Sequence, residues 1–233
     1  MFEEQPLLKT RYTFESGTGN LEDDRYITHI NGEILAILID EEANESFMPI
    51  GKFELKLVHI TLAINTNYPI FDICDSSMDM RAMMFPIWDM ETAELVPEIQ
   101  EALGDDIGIT TNDILIINKI QIVKKYRGLG LAPKVLKDIY MRFEDAVSLF
   151  VLEAFPLQIN EERVKYWSEQ EKEFYAKMDY QSFTGNEKKN TKKIMNMYKS
   201  IGFIHIPLEK TDGIFMFSAT CLNNRKLRKL KMD

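Results

Sequence analysis

The sequence predicts a mixed α/β fold: a mixed, largely antiparallel sheet with helices on both faces. Three observations lead there. The first half is dominated by short, alternating β-prone runs. The second half alternates strands with helical patterns, the order that places helices over a sheet. The length of 233 residues, 45% hydrophobic and 28% charged, suits one large domain with a sizeable core.

In chain order, residues 8–15 form a first strand. Residues 25–40 hold Asn31 and Gly32 between two β-prone runs, the signal of a two-residue hairpin. Residues 53–65 read as a strand whose inward face changes at a bulge near His59. Residues 75–103 space Met80, Met83, Met84 and Ile87 as a helix would, and Pro86 and Pro97 divide them into two short helices. A strand follows at 113–123. The helix at 133–144 carries Val135, Leu136, Ile139, Tyr140 and Phe143 on one face. Residues 146–154 are an apolar strand of the kind buried on both faces. A charged helix at 159–178 with Val164, Trp167, Phe174 and Met178 on one stripe looks like an insertion, and 179–190 like a loop. The helix at 191–201 stops at Gly202, and 203–207 and 214–219 make a last strand pair before a basic tail.

Composition narrows the function. A net charge of −9 argues against broad binding to nucleic acid or a membrane. Cys74 and Cys221 show no paired spacing, and His29, His59 and His205 are scattered, so no metal cluster is readable. Asp72, Asp75 and Asp79 lack the glycine and glutamate of a calcium loop, and capping by Asp75 or Ser76 explains that stretch better. The Met80, Met83, Met84 and Met90 cluster reads as core filling. The N-terminus has no apolar signal region, and the longest apolar run, 34–39, is far too short to span a membrane. A cytoplasmic setting is expected. In the tail, Arg225, Lys226, Arg228, Lys229 and Lys231 suggest a frayed, solvated helix end.

The informative stretch is "YRGLGLAPKVLKDIY", 126–140. Gly128 and Gly130 permit positive φ and close backbone approach. Pro133 suits a first helical position, and free amides at a helix start attract an anion. Arg127 adds charge at the rim. A Walker loop does not fit, and a dinucleotide fingerprint would need glycine where Pro133 stands. The remaining phosphate-binding pattern is Q/R-x-x-G-x-G/A, which Arg127, Gly130 and Ala132 match.

This stretch resembles the coenzyme-A-binding motif of the GNAT N-acetyltransferases. The later "KKIMNMYKSIGFIHI", 192–206, resembles that family's helix ending in tyrosine, followed by glycine and an aromatic that opens a strand. The order of elements agrees over roughly 113–219, whereas the first hundred residues diverge. The resemblance divides the chain into a divergent half (1–110), an acetyl-CoA-binding core (111–220) and a basic tail (221–233). It implies a GNAT-like fold with an inserted helix at about 160–178.

It also implies an activity: transfer of an acetyl group from acetyl-CoA, without a metal, to an amine on a small molecule or a protein. Main chain near Ile122 and Val123 would pair with the pantetheine arm. Arg127, Gly128, Leu129, Gly130, Leu131, Ala132 and Lys134 would surround the pyrophosphate. Tyr198 matches the family's general acid. For the base, Glu153 follows the apolar run 149–152, where burial raises a carboxylate's pKa. Asp113, and Asn118 or Gln121 through a water, are the alternatives. Nucleic acid and membrane are not expected partners, and a homodimer is compatible with the sequence. The competing readings are a catalytically inactive acyl-CoA-binding or interaction module on the same fold, kept alive by the lack of an obvious base, and a nucleotide-binding oxidoreductase, disfavoured by Pro133.

Overall fold

The computed structural model describes residues 6–15, 25–104, 111–154, 169–179, 187–219 and 224–231. Its main sheet has seven strands: β1 (Leu8–Glu15), β2 (Ile27–Ile39), β3 (Glu45–Val58), β6 (Ile114–Ile122), β7 (Leu149–Glu153), β9 (Phe215–Ala219) and β8 (Ile204–His205), in that spatial order. All pairings are antiparallel except β6 with β7, which is parallel. A small hairpin of β4 (Trp88–Asp89) and β5 (Glu94–Leu95) stands apart.

Helices cover both faces, as the sequence predicts. On one face lie α1 (Ile60–Thr66), α2 (Ile70–Cys74), α3 (Met78–Met84) and α4 (Pro97–Leu103), burying Ile60, Ile73, Met80, Met84 and Ile99 against Val58, Ile114, Ile116 and Val151. On the other lie α5 (Leu131–Phe143), α6 (Glu169–Met178), α7 (Glu187–Ser200) and α8 (Arg225–Lys229). There Val135, Leu136 and Ile139 pack with Phe53, Leu115 and Phe150. Among the described residues no helix is long and apolar enough to cross a membrane.

Several sequence expectations are corrected. Asn31 and Gly32 are not a hairpin turn but the middle of the 13-residue β2. Gly32 lies between Tyr12 of β1 and Phe53 of β3, and a Cβ there would sit 1.9 Å from Cζ of Phe53. The glycine makes room for a cross-strand ring. The real turn is at 40–44, where Asp40 Oδ1 accepts the N–H groups of Glu42 (3.0 Å) and Asn44 (2.8 Å).

The strand expected at 53–65 ends at Val58 and continues as α1, because the Asp113 carboxylate accepts the Thr61 N–H at 2.7 Å and fixes a helix start. The irregularities of register lie opposite Ile34/Leu35 and Glu54/Leu55, not at His59. The two short helices expected within 75–103 are α3 and α4, and α1 and α2 precede them: Pro97 opens α4, and the cap of α3 is Ser77 rather than Asp75 or Ser76, its hydroxyl accepting the Met80 N–H at 3.1 Å. α7 starts at Glu187, inside the expected loop, and α6 occupies the end of the expected insertion, whose residues 159–168 lie outside the described ones.

The tail is docked. Asn224 caps α8 at the Leu227 N–H (3.0 Å), Leu227 is fully buried, and Arg228 pairs with Glu144 of α5 at 2.6 Å. Leu227 supplies the apolar anchor that an arginine- and lysine-rich segment hides from a charge-based reading.

Edge strand β1 is fastened to α5 through one carboxylate. Asp138 Oδ2 accepts from Thr10 Oγ1 (2.6 Å), Tyr12 OH (2.6 Å) and Arg142 Nε (3.1 Å). Desolvation raises the Asp138 pKa, but the three donors outweigh it and hold it below the ordinary value of 3.8. A depressed carboxylate stabilises at neutral pH, and that contribution is lost as the pH falls through the folded-state pKa. Asp138→Ala strands two half-buried hydroxyls and should cost about 2 kcal/mol at pH 7, read from the urea midpoint. The difference from the parent should shrink below pH 4.

Candidate functional site

The site follows from how two parallel strands part. β6 pairs with β7 only through Ile114, Ile116 and their neighbours, from Leu149 to Val151. Beyond that point β6 runs on to Ile122 against β3 alone, while β7 follows β9. Near the point of parting β6 carries one extra residue, Asn118, between Ile117 opposite Leu55 and Lys119 opposite Glu54. A bulge bends its strand, which turns β6 away from β7. The result is a gap of about 430 Å³ lined by residues 117–122, the glycine turn, Glu153, and Tyr198 with Ile194 and Met197.

The edge of β6 is available in this gap. Val123 donates its N–H to Ile50 C=O at 2.9 Å, across to β3. By the alternation of an antiparallel ladder, the neighbouring Ile122 turns its N–H and C=O the other way, into the gap. Ile122 C=O accepts from Arg127 Nε at 2.7 Å. Val123 is buried and does not line the gap.

The turn itself is built around two left-handed glycines. A single 3-10 turn (Lys124–Tyr126) ends β6, Gly128 has φ +79°, and Gly130, at φ +72°, precedes the first helical residue of α5. Pro133 is therefore the third helical residue and not the first, as the sequence suggests. Lacking an N–H, it leaves Gly130, Leu131 and Ala132 as the donors free of the helix ladder, while Lys134 is the first residue whose N–H the helix itself uses. Gly130, Leu131 and Ala132 line the gap; Leu129 and Lys134 do not.

Arg127 does not stand at the rim. Its guanidinium reaches from Ile122 C=O to Met178 C=O at the end of α6, where the helix dipole favours a cation. Lys124 pairs with Asp179 just beyond, at 2.5 Å, and Lys52 lies over the Phe174 ring at 4.5 Å. The C-terminal end of α6 is thus tied to the turn, and Met178 becomes part of the gap wall.

Glu153 and Tyr198 approach the gap from opposite faces of the sheet. Along β7, Leu149 and Val151 pack toward α1 to α4, and Phe150 and Leu152 toward α5. The alternation carries Glu153 to the α1–α4 side. Tyr198 belongs to α7 on the other side, its ring 5.9 Å from that of Phe203. Among the described residues neither side chain has a hydrogen-bond or ion-pair partner. Desolvation raises the Glu153 carboxyl above its usual value and pushes the Tyr198 phenol up to about 12. The pair thus offers a carboxylate ready to take a proton and a hydroxyl that keeps its own throughout the neutral range.

Of the other candidates, Gln121 is buried and lines the gap, while Asp113 and Asn118 are engaged with other groups. Asp113 serves the start of α1 and faces His59 at 3.7 Å, outside the gap. Asn118 lines the gap but donates to Asp79 at 3.1 Å, and Asp79 also binds the buried Lys56 at 2.6 Å. Sequence reasoning missed the apolar wall of Ile194, Met197 and Met178. Only the i, i+3, i+4 spacing of Ile194, Met197 and Tyr198 on α7 could have signalled it.

A scan against protein-family models finds none that matches this chain, and a search of curated proteins finds no match either.

Proposed function

We propose that the chain is a GNAT-type N-acyltransferase that moves an acetyl group from acetyl-CoA to an amine. The observation that carries this reading is the gap opened where β6 and β7 part. Among the described residues, one continuous space holds the β6 edge beyond its pairing with β7, the amides of a helix start, a desolvated carboxylate and a phenol without a hydrogen-bond partner. The fit to the co-substrate is physical. Gly130, Leu131 and Ala132 present N–H donors and the positive end of a helix dipole to a pyrophosphate. The inward-facing N–H of Ile122 suits the amide-bearing arm, as one strand edge suits another.

In the reaction, the acceptor's nitrogen attacks the thioester carbonyl. The new C–N bond forms, the C–S bond breaks, and the amine proton passes to Glu153. The Tyr198 hydroxyl, from the opposite face, donates to the departing sulfur. On this reading the acceptor would enter on the α1–α4 side, toward Glu153, and the thioester on the α5 side, toward Tyr198. Because Glu153 must be ionised, turnover should rise with pH through a midpoint above the ordinary carboxylate value, and Glu153→Gln should remove that limb.

Calorimetry with CoA tests the cradle. Gly130→Asp brings a Cβ and a negative charge to a residue at φ +72° where phosphates would approach, and CoA affinity should fall at least about tenfold, roughly 1.4 kcal/mol. Unchanged affinity in a folded variant would remove the cradle. CoA binding by the parent without turnover over an amine panel would leave an acyl-CoA-binding module.

A further inference from the structure

We propose that Gly213 is a positioning residue for Glu153, a role that rests on reading Glu153 as the base. The loop between β8 and β9 reaches back over the end of β7, where Ala154 N–H donates to Ile214 C=O at 2.7 Å and Glu153 pairs with Phe215. Gly213 lies against the Glu153 side chain. A Cβ built there would be 2.9 Å from Glu153 Oε1, 2.9 Å from Cε2 of Phe215 and 3.2 Å from Thr211 Oγ1.

The backbone does not demand a glycine, since Gly213 is absent from the positive-φ residues of the described chain. What the glycine provides is space. Of the three neighbours, the Phe215 ring is fixed, with 1% exposure in the core beside Phe217 at 6.3 Å. Thr211 is held by accepting the Gly213 N–H at 3.0 Å, which closes the turn. The carboxylate, at the end of a flexible chain, is the group that would yield.

A methyl at 213 therefore acts as a wedge directed at Glu153. It would push the carboxylate away from the loop and further into the gap that it already lines, toward water. Charged groups on the surrounding elements are Lys210 and Asp212 on the same loop, Lys119 on β6, which pairs with Glu54 at 3.3 Å, and Arg127, held by the carbonyls of Ile122 and Met178. None of them bonds to Glu153, so burial, to which Gly213 and its neighbours contribute contacts, dominates its titration.

The test is the pH titration of the Glu153 side-chain carboxyl by carbon NMR in glutamate-labelled protein, assigned by Glu153→Gln. In the parent, the midpoint should lie above the ordinary carboxylate range. In folded Gly213→Ala it should fall by roughly half a pH unit or more, while the contact with the fixed Phe215 ring also lowers the thermal midpoint. An unmoved midpoint in folded Gly213→Ala overturns the proposal. If Gly213→Ala does not fold, Thr211→Val opens the same turn by removing the acceptor of the Gly213 N–H. The midpoint should then fall in the same direction, and an unmoved one again overturns the proposal. This titration needs no acceptor and no CoA, so failure of the transferase reading shows in calorimetry while failure of Gly213's role shows here.

Discussion

Gly32→Val should destabilise the protein by about 3 kcal/mol, the upper range for overpacking a filled core. Cβ alone would lie 1.9 Å from Cζ and 2.2 and 2.3 Å from the Cε atoms of Phe53, and valine adds two methyls beyond it. The ring has no room to retreat. Phe53 is 1% exposed, it meets Tyr12 edge-on at 5.0 Å, and Tyr12 is itself held by Asp138. The urea midpoint should fall with an unchanged slope. Gly32→Ala combined with Phe53→Leu should recover much of what Gly32→Ala alone loses. Additivity of the two changes would mean that the Phe53 ring is not what the glycine accommodates.

That residue marks the limit of what the sequence discloses. The Asn31 and Gly32 signal is local, and the residue that explains the glycine is 21 positions away. The same holds for residues 60–66. Ile60, Leu62 and Ile64 are spaced as a strand requires, and the carboxylate that starts the helix, Asp113, is some fifty residues downstream. By contrast, the apolar face of α5, the buried run of β7 and the order of elements after 113 were legible, because each depends on spacing within one element.

The candidate site divides the same way. The glycine turn and Tyr198 are visible as short patterns. Residue type alone made Glu153 no better a candidate than Asp113. The distinction comes from the parallel pair separating after Ile116 and Val151, which leaves Glu153 in the gap, while Asp113 is committed to α1. Arg127 was legible as a residue but not as a contact. Its partner Met178 lies 51 positions on, in an added helix for which the sequence gives no docking place.

If the chain is the acetyltransferase proposed above, Tyr198→Phe should leave the fold intact and lower kcat by roughly 10²-fold, the usual scale for losing a general acid. The hydroxyl makes no hydrogen bond among the described residues, while the ring packs by Phe203 and against the core that holds Leu131 and Met178. Removing one oxygen therefore costs little stability, within about 0.5 kcal/mol, and CoA affinity should persist. The pH profile gives a second readout. A phenol pushed up to about 12 is protonated at every pH used for assay, so Tyr198 contributes no alkaline limb of its own. Parent and variant should differ by a constant factor across the neutral range and share the acid limb set by Glu153. The measurement needs an amine that the parent acetylates, found by screening an amine panel with acetyl-CoA. With that amine, a Tyr198→Phe variant keeping full kcat would make the tyrosine a packing residue of α7 and leave the departing sulfur to be protonated by water.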